Sequence, residues 1–483
     1  MSNKSKSSGI VSSLGWDFAE KWACQIINFV ITIMIARILN PEAYGIVAIV
    51  NAFISIFSVF VDSGLGNSLV QKKDSDSLDY STVFYTNIVL CGLIYLILFM
   101  FAPLVEDYYQ MEGLATLIRV SGTTLLLFAL KNVQHAYVSK NLLFKKLFFS
   151  SLFGTLGSGV LGIWMALNGY GVWALVFSNL FDVVFDTLII WFTIKWRPTL
   201  EFSFERLKSL YNYGWKLFVS SIINKIYKKS SQLVIGKYYS SSDLAFYDKG
   251  DTIAGKITIN VNGTVNSVLF PVLSNNQDEK EVLKNISKNT LKVNFYLMTP
   301  LLVGLIVVSK PMVMVLLTEK WLPAVPYLII SCLINIILPF QSMNLNVIKS
   351  IGRSDVFLRI EIIKKIIGIS FLIITVKYGP LYIALGQLFV NMVCIFINSY
   401  PNKKYINYGI FEQFKDVLPT VIIAAIMGLV VNIFNFISMS YFIKLIIEII
   451  IGGVVYIGLS YLLKIDVFVN IIRVIKEKFS HAK

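Results

Sequence analysis

Histidine, cysteine and charged residues are all scarce in this chain, and each shortage excludes a class of function. Only two histidines occur, His135 and His481, which leaves little material for a histidine-based metal centre or a catalytic triad. The four cysteines lie inside apolar stretches and form no CxxC pair, so zinc-ribbon and disulfide frameworks are excluded. Without a Walker A, HExxH or Ser/His/Asp arrangement, the sequence predicts no catalytic residue, no metal site and no cofactor, and thus no enzyme.

Apolar residues, by contrast, make up 56% of the chain, and they recur along its whole length. A hydrocarbon core about 30 Å thick needs roughly 20 apolar residues per helix. The pattern predicts an all-α polytopic membrane protein with about fourteen transmembrane helices. The predicted spans are Leu14–Leu39, Tyr44–Leu65, Phe84–Val105, Leu114–Tyr137, Leu147–Leu167, Val172–Trp196, Leu210–Tyr238, Leu244–Leu273, Leu291–Val308, Leu322–Ile348, Phe357–Val376, Leu381–Tyr400, Val417–Phe436 and Phe442–Leu463.

The basic residues follow an alternating pattern over the predicted loops. The net charge is +15, and clusters such as Lys140–Lys146, Lys403–Lys404 and the tail Lys464–Lys483 fall on one side of the predicted spans. Lysine and arginine accumulate in cytoplasmic loops, so the bias predicts that both termini are cytoplasmic. No basic soluble module exists, and nucleic acid is not an expected partner. The polar start, Met1–Ser13, predicts no removable signal peptide.

A weak internal repeat appears at a shift of about 200 residues, a symmetry that transporters often keep. Gly15–Trp16 and Gly214–Trp215 open the first and seventh spans, while Ala43–Gly45 and Ala245–Tyr247 open the second and eighth. The repeat predicts two six-helix lobes and a final helix pair with a cytoplasmic tail, at residues 1–200, 201–405 and 406–483.

Two short motifs resemble nucleotide-binding signatures but lack the required context. Gly157–Gly162 matches GxGxxG, yet it lies inside the fifth span without a preceding strand, so we expect it to pack helices closely. Asp74–Asp76 matches the DxD of glycosyltransferases, yet no soluble domain surrounds it, so we expect a solvated turn.

Cations inside the spans are the informative residues. Each buried charge costs roughly 2.5–3.5 kcal/mol on insertion scales, so such side chains should face a polar interior. Their surplus over acids indicates an anionic substrate, with phosphate the natural candidate. The alternative is internal neutralisation by nearby acids such as Asp17, Glu20, Asp248 and Asp251. The predicted substrate-binding cations are Lys21, Arg119, Lys225, Lys249 and Lys256.

Two pairs of charges suggest other roles. Asp182 and Asp186 lie one turn apart in the sixth span, where they could exchange a proton or Na⁺; the alternative is a salt bridge to a neighbouring lysine. Lys444 and Glu448 are also one turn apart, and we expect them to pair.

Three segments resemble bacterial polysaccharide-unit flippases. Ile35–Gly45 is similar to their first-to-second helix turn, Val61–Gly66 through Gln71–Lys73 to the end of their second helix, and Gly169–Val176 to their signature before the sixth helix. The resemblance extends over essentially the whole chain and is strongest in the first 200 residues. It identifies the protein with the multidrug/oligosaccharidyl-lipid/polysaccharide (MOP) exporter superfamily.

That resemblance implies a V-shaped, MATE-like pair of lobes with a central cationic cavity. It implies alternating-access transport of undecaprenyl-diphosphate-linked oligosaccharides across the bacterial cytoplasmic (inner) membrane, driven by an ion gradient because no ATPase motif exists. The product would feed O-antigen, capsule or exopolysaccharide synthesis. Membrane lipids are expected partners, and a polysaccharide polymerase and chain-length machinery are candidates. The alternatives are an exporter of drugs or lipid II from the same superfamily, or a membrane-bound polymerase or acyltransferase.

Overall fold

The structure is a computed structural model that describes residues 23–61, 65–72, 75–141 and 143–480. Within these ranges every regular element is a helix. The helices are α1 (Ala23–Ile38), α2 (Pro41–Val61), α3 (Leu65–Gln71), α4 (Ser77–Tyr109), α5 (Leu114–Lys140), α6 (Phe144–Leu167), α7 (Val172–Thr193), α8 (Phe204–Tyr238), α9 (Ser241–Asn275), α10 (Lys280–Leu316), α11 (Val325–Ser350), α12 (Ser354–Thr375), α13 (Pro380–Ile406), α14 (Ile410–Ile433), α15 (Tyr441–Leu462) and α16 (Asp466–Ser480). Two 3₁₀ turns precede α11 and α15, at Glu319–Ala324 and Phe434–Phe436.

Each predicted span overlaps one of these helices, which confirms the all-α membrane architecture. Ten helices in the described ranges are long and apolar enough to cross a membrane, and Ala23–Ile38 is a shorter apolar helix. The helices α8, α9 and α12 have the required length but carry more charge. The chain is thus a multi-pass membrane protein.

The chain divides into two compact units, Met1–Ala245 and Phe246–Lys483. In the first unit, α6 packs on α7, α4 on α5, and α2 on both α5 and α8. In the second, α10 contacts α11, α14 and α15, and α13 packs against both α11 and α12. The lobes predicted from the repeat divide the chain after residue 200 instead, and that division stays a prediction.

The glycine-rich motif lies in α6 and packs helices, as expected. A Cβ at Gly162 would lie 2.7 Å from the Ser178 hydroxyl of α7, and a Cβ at Gly159 would overlap the Ile31 side chain of α1. An alanine at either position would have to displace a side chain of the neighbouring helix, so these glycines let α6 approach α7 and α1 closely.

The second motif begins a helix. Asp76 caps α4: its carboxylate accepts the Asp79 backbone N–H at 2.9 Å, and the Asp79 carboxylate accepts the Asp76 N–H in return. This is a capping box. The hydrogen bond from the Asp79 N–H, assisted by the Arg206 charge, lowers the pKa of Asp76. Asp74 lies outside the described residues.

The expected pair of Lys444 and Glu448 is wrong. The 3₁₀ turn before α15 places the Asn435 carbonyl 3.2 Å from the Lys444 ammonium, which donates to that oxygen instead. Glu448 is buried, and neither carboxylate oxygen has a hydrogen-bond partner in the described part of the chain.

Candidate functional site

A charged cluster in the first unit centres on Asp186 of α7. One carboxylate oxygen lies 2.8 Å from the Lys131 ammonium of α5, and the other accepts the Ser150 hydroxyl of α6 at 2.7 Å. His135, one turn beyond Lys131, places its Nε2 3.6 Å from the same carboxylate. Three helices therefore meet at one buried carboxylate, which a cation and a hydroxyl stabilise.

Asp182 lies one turn from Asp186 but has a different environment. It is half-buried and accepts the Ser158 hydroxyl at 3.4 Å. No lysine or arginine in the described ranges lies within ion-pair distance of it. The two predicted coupling residues therefore differ: Asp186 is held in an ion pair, whereas Asp182 forms none with the cations of the described ranges.

The sequence alone did not indicate which residues contact Asp186. Lys131 lies near the end of its predicted span, where a lysine can extend to the membrane surface. Lys131 and His135 are four residues apart and therefore share one face of α5. That shared face was the feature of the sequence that could have indicated a common partner. Gly154 supplies the space on α6, because a Cβ there would lie 3.3 Å from the Asp186 backbone nitrogen.

Lys249 of α9 is the most deeply buried of the predicted cations in the described ranges, with 8% of its surface exposed. Its ammonium lies 5.1 Å from the centroid of the Trp321 ring, within range of a cation–π interaction. Phe246 packs edge-on against the same ring at 6.1 Å. An apolar, aromatic setting of this kind strengthens the attraction of a cation for an incoming anion.

Lys256 lies two turns farther along α9 and is half-buried. No hydrogen bond or ion pair joins it to another residue of the described ranges. Residues seven apart on a helix share one face, so the two ammonium groups of α9 extend from the same side. The structure thereby groups two of the five predicted cations.

Arg119 lies against α4. Its Nε donates to the Phe99 carbonyl at 3.2 Å, and the guanidinium carbon lies 4.2 Å from the Phe99 ring centroid. The Phe99 side chain is itself exposed. Lys225 of α8 is half-buried, with no ion-pair partner among the described residues. Lys21 falls outside those residues. All five assignments stay predictions.

Hydrogen bonds between amide side chains join α9, α10 and α11, and the sequence analysis did not predict them. The Asn262 side-chain oxygen accepts from Asn294 at 2.8 Å and from the Ser342 hydroxyl at 3.0 Å. One turn on, Asn346 donates to Asn266 at 2.9 Å. The sequence feature that could have indicated these bonds is a spacing of four between the polar residues on α9 and also on α11. This spacing places two polar side chains on one face of each helix. These bonds join helices in the same unit as Lys249.

No group of three or more histidine, cysteine, aspartate or glutamate side chains converges in the described ranges. The polar groups that do converge are ammonium, amide and hydroxyl groups beside aromatic rings. Such groups can bind phosphate and sugar hydroxyls and position them without making or breaking covalent bonds.

The chain is similar to several known proteins of polysaccharide biosynthesis. The chain is 24% identical over 376 residues to the teichuronic acid biosynthesis protein TuaB of Bacillus subtilis, covering 77% of this chain and 78% of that protein. It is 24% identical to the succinoglycan biosynthesis transport protein ExoT of Rhizobium meliloti, covering 72% and 70%.

The fold matches a solved structure of the lipid II flippase MurJ in an inward closed conformation. The TM-score is 0.76 at 16% identity, covering 93% of this chain and 99% of that one. The family described as "Polysaccharide biosynthesis protein" matches residues 34–326, which is more than half of the chain. This protein therefore belongs to the polysaccharide biosynthesis protein family and has the fold of the lipid II flippase MurJ.

Proposed function

We propose that this protein is a flippase that moves undecaprenyl-diphosphate-linked oligosaccharide repeat units across the bacterial cytoplasmic membrane for O-antigen, capsule or exopolysaccharide synthesis. The observation that carries the proposal is the buried Lys249 ammonium beside Trp321, in a chain of this family. An ammonium group held in an apolar, aromatic setting attracts an incoming anion more strongly than one surrounded by water. The relative ExoT is named a transport protein, which supports transport over catalysis.

The physical problem is the diphosphate. Its charges cannot enter hydrocarbon unaided, whereas the polyprenyl tail prefers to remain there. Fixed cations replace the hydration of the phosphates during crossing, and amides and aromatic rings contact the sugars. The cations proposed to bind the diphosphate are Lys21, Arg119, Lys225, Lys249 and Lys256. We propose that the lipid crosses by alternating access.

We assign coupling to the acidic stripe of α7. Asp182 has no cation within ion-pair distance in the described ranges, so it is the better candidate to bind a proton or Na⁺. Asp186 is held by Lys131 and Ser150, which suits a fixed role. Transport driven by an ion gradient needs no nucleotide, and the sequence has no Walker A motif.

The flippase assignment is tested by replacing each cation singly with glutamine. In cells that depend on the protein for surface polysaccharide, we expect Lys249→Gln and Lys256→Gln to reduce export strongly at normal membrane levels. Purified variants should bind undecaprenyl-diphosphate sugar more weakly. Lys377→Gln, which removes an exposed cation in a predicted outside turn, is the matched control. Wild-type export and binding by all five variants would refute the cationic site.

The MurJ fold keeps lipid II as the second candidate substrate. Lipid II and a repeat-unit lipid share the diphosphate, so selectivity between them must come from recognition of the sugar. Competition in proteoliposomes discriminates, because excess lipid II should block repeat-unit flipping only if both are substrates. A drug exporter would respond to neither lipid, and a polymerase would lengthen the glycan during the assay.

We further propose that both termini are cytoplasmic, that membrane lipids and the transported lipid are the direct partners, and that a polysaccharide polymerase and chain-length machinery act downstream. The loop charge bias supports the orientation. Labelling of Lys478→Cys in intact cells by an impermeant thiol reagent should fail until the membrane is permeabilised. Immediate labelling would reject the proposed orientation.

A further inference from the structure

The last described helix, α16, has 15 residues, which is fewer than a helix needs to span the hydrocarbon core. It is amphipathic: Val467 is buried in a core with Tyr296 and Tyr456, whereas the side chains of Asn470 and Arg473 are exposed. An amphipathic helix with basic residues on its polar face is typical of segments that lie at a membrane surface. The anchored Val467 fixes where this helix meets α10.

A cavity of about 800 Å³ lies between α10 and α16, inside the second unit. Its lining contains three cations and a single acid, together with two amides and an apolar floor. The cations are Lys292, Lys464 and Arg473, and the acid is Asp466, which lies 3.0 Å from Lys292. The lining therefore keeps a surplus of positive charge.

Two of these cations have no ion-pair partner in the described ranges, namely Lys464 and Arg473. Lys464 has φ of +48°, a left-handed conformation that glycine adopts without steric cost. A lysine at this turn gives up some backbone stability and places an ammonium group at the cavity instead. Beside it, Leu462 and Leu463 are 72% and 58% exposed, as expected for residues in contact with lipid chains.

We propose that this cavity binds the phosphate headgroup of an anionic phospholipid from the leaflet next to the tail. Lys464 and Arg473 would contact the phosphate, and Lys292 would contribute once a phosphate oxygen competes with Asp466. The acyl chains would continue along Leu462 and Leu463. The site ties α16 to the membrane surface, and it does not depend on which lipid the protein transports.

The test uses purified full-length protein titrated with phosphatidylglycerol, with bound lipid counted by native mass spectrometry. We expect Lys464→Gly with Arg473→Gln to raise the half-saturating phosphatidylglycerol concentration at least about tenfold. Lys403→Gln with Lys404→Gln is the control, because it removes two exposed basic charges from another part of the chain. Those two should change binding by less than about twofold.

Two further variants separate binding from folding. Lys464→Gly alone should melt at the same or a higher temperature than wild type while binding phosphatidylglycerol more weakly, because glycine suits the left-handed turn. Asp466→Asn should bind more tightly, since it removes the acid of the lining and leaves Lys292 only its longer contact of 3.9 Å with Asp416. Unchanged binding in both the double variant and Asp466→Asn would overturn the proposal.

The competitors identify the source of the phosphate. Phosphatidylcholine should bind much more weakly than phosphatidylglycerol, and sn-glycerol 3-phosphate should fail to displace the lipid. Displacement by the free phosphate compound at similar concentrations would assign the cavity to a soluble anion. Displacement by undecaprenyl diphosphate, with phosphatidylglycerol unable to compete back, would assign it to the transported lipid. Either result overturns the phospholipid assignment.

Discussion

The Lys131 ammonium lies 2.8 Å from the Asp186 carboxylate, joining α5 to α7 inside the first unit. The side chains are 17% and 11% exposed, so water contributes little to the stability of either charge. Breaking such a pair leaves one buried charge uncompensated, which costs more than the pair itself contributes. Because Asp186 is held in this pair, we expect it to act as part of the scaffold, with Asp182 the more available carboxylate for coupling.

Replacing Lys131 by glutamine should destabilise the protein by roughly 3 kcal/mol, because Asp186 loses its cation. The double variant Lys131→Gln with Asp186→Asn should recover most of that loss. Thermal melting of the purified variants, measured with the conservative control Lys131→Arg, checks both statements. A single variant that melts like wild type would show that the pair contributes nothing, and equal melting of the single and double variants would exclude the unpaired Asp186 charge as the cause of the loss.

Removal of the carboxylate at Asp182 should abolish the dependence of flipping on an ion gradient, with little change in stability. Asp186→Asn should show the reverse, with gradient dependence retained and a lower melting temperature. The measurement is flipping of repeat-unit lipid in proteoliposomes under imposed proton or Na⁺ gradients. Unchanged gradient dependence in both variants would remove the α7 stripe from coupling.

Gly45→Ala should be strongly destabilising, by about 2 kcal/mol or more. A Cβ at Gly45 would lie 1.7 Å from the Ser241 carbonyl oxygen, and a backbone atom cannot move aside like a flexible side chain. Gly92→Ala is the control, because no atom lies within 4 Å of a Cβ there. Expression level and melting temperature measure the effect, and similar values for both variants would disprove the close approach.

Asp76→Ala should cost about 1 kcal/mol at neutral pH, because α4 loses its capping carboxylate. The folded-state pKa of Asp76 is lowered from its usual 3.8, so this stabilisation is complete above that value and is lost as the pH falls below it. Melting of wild type and variant should therefore converge in strong acid. Asp76→Asn, which keeps a capping oxygen that does not titrate, should change much less with pH; a constant gap between wild type and Asp76→Ala would exclude the titration.

The sequence predicted the membrane architecture well, because the signal for a span is local. A run of apolar residues such as Ile88–Leu98 within α4 requires hydrocarbon wherever the helix finally packs. It also predicted that Gly157–Gly162 packs helices, since the motif lacks the strand that nucleotide binding needs. The family followed from short segments that resemble known flippases, and the match over residues 34–326 agrees.

The contacts of the charged residues were less predictable. Spacing placed Lys444 and Glu448 on one face, but the carbonyl of Asn435, brought close by a 3₁₀ turn, bonds Lys444 instead. Spacing also made Asp182 and Asp186 equivalent, and only packing against Lys131 and Ser150 distinguishes them. Helix periodicity fixes the direction of a side chain but not which neighbouring helix it meets.

The sequence by itself determined that this is a multi-pass membrane protein, that it is built of helices, which family it belongs to and which sign of charge prevails within the spans. These depend on transfer free energies of single residues and on local patterns, which need no partner. Only the tertiary structure decided which charges are neutralised, which glycines face a neighbouring backbone and where cations border a cavity. Such properties arise when residues far apart in the chain come within a few ångströms, where a buried charge is either paired or left to bind something else.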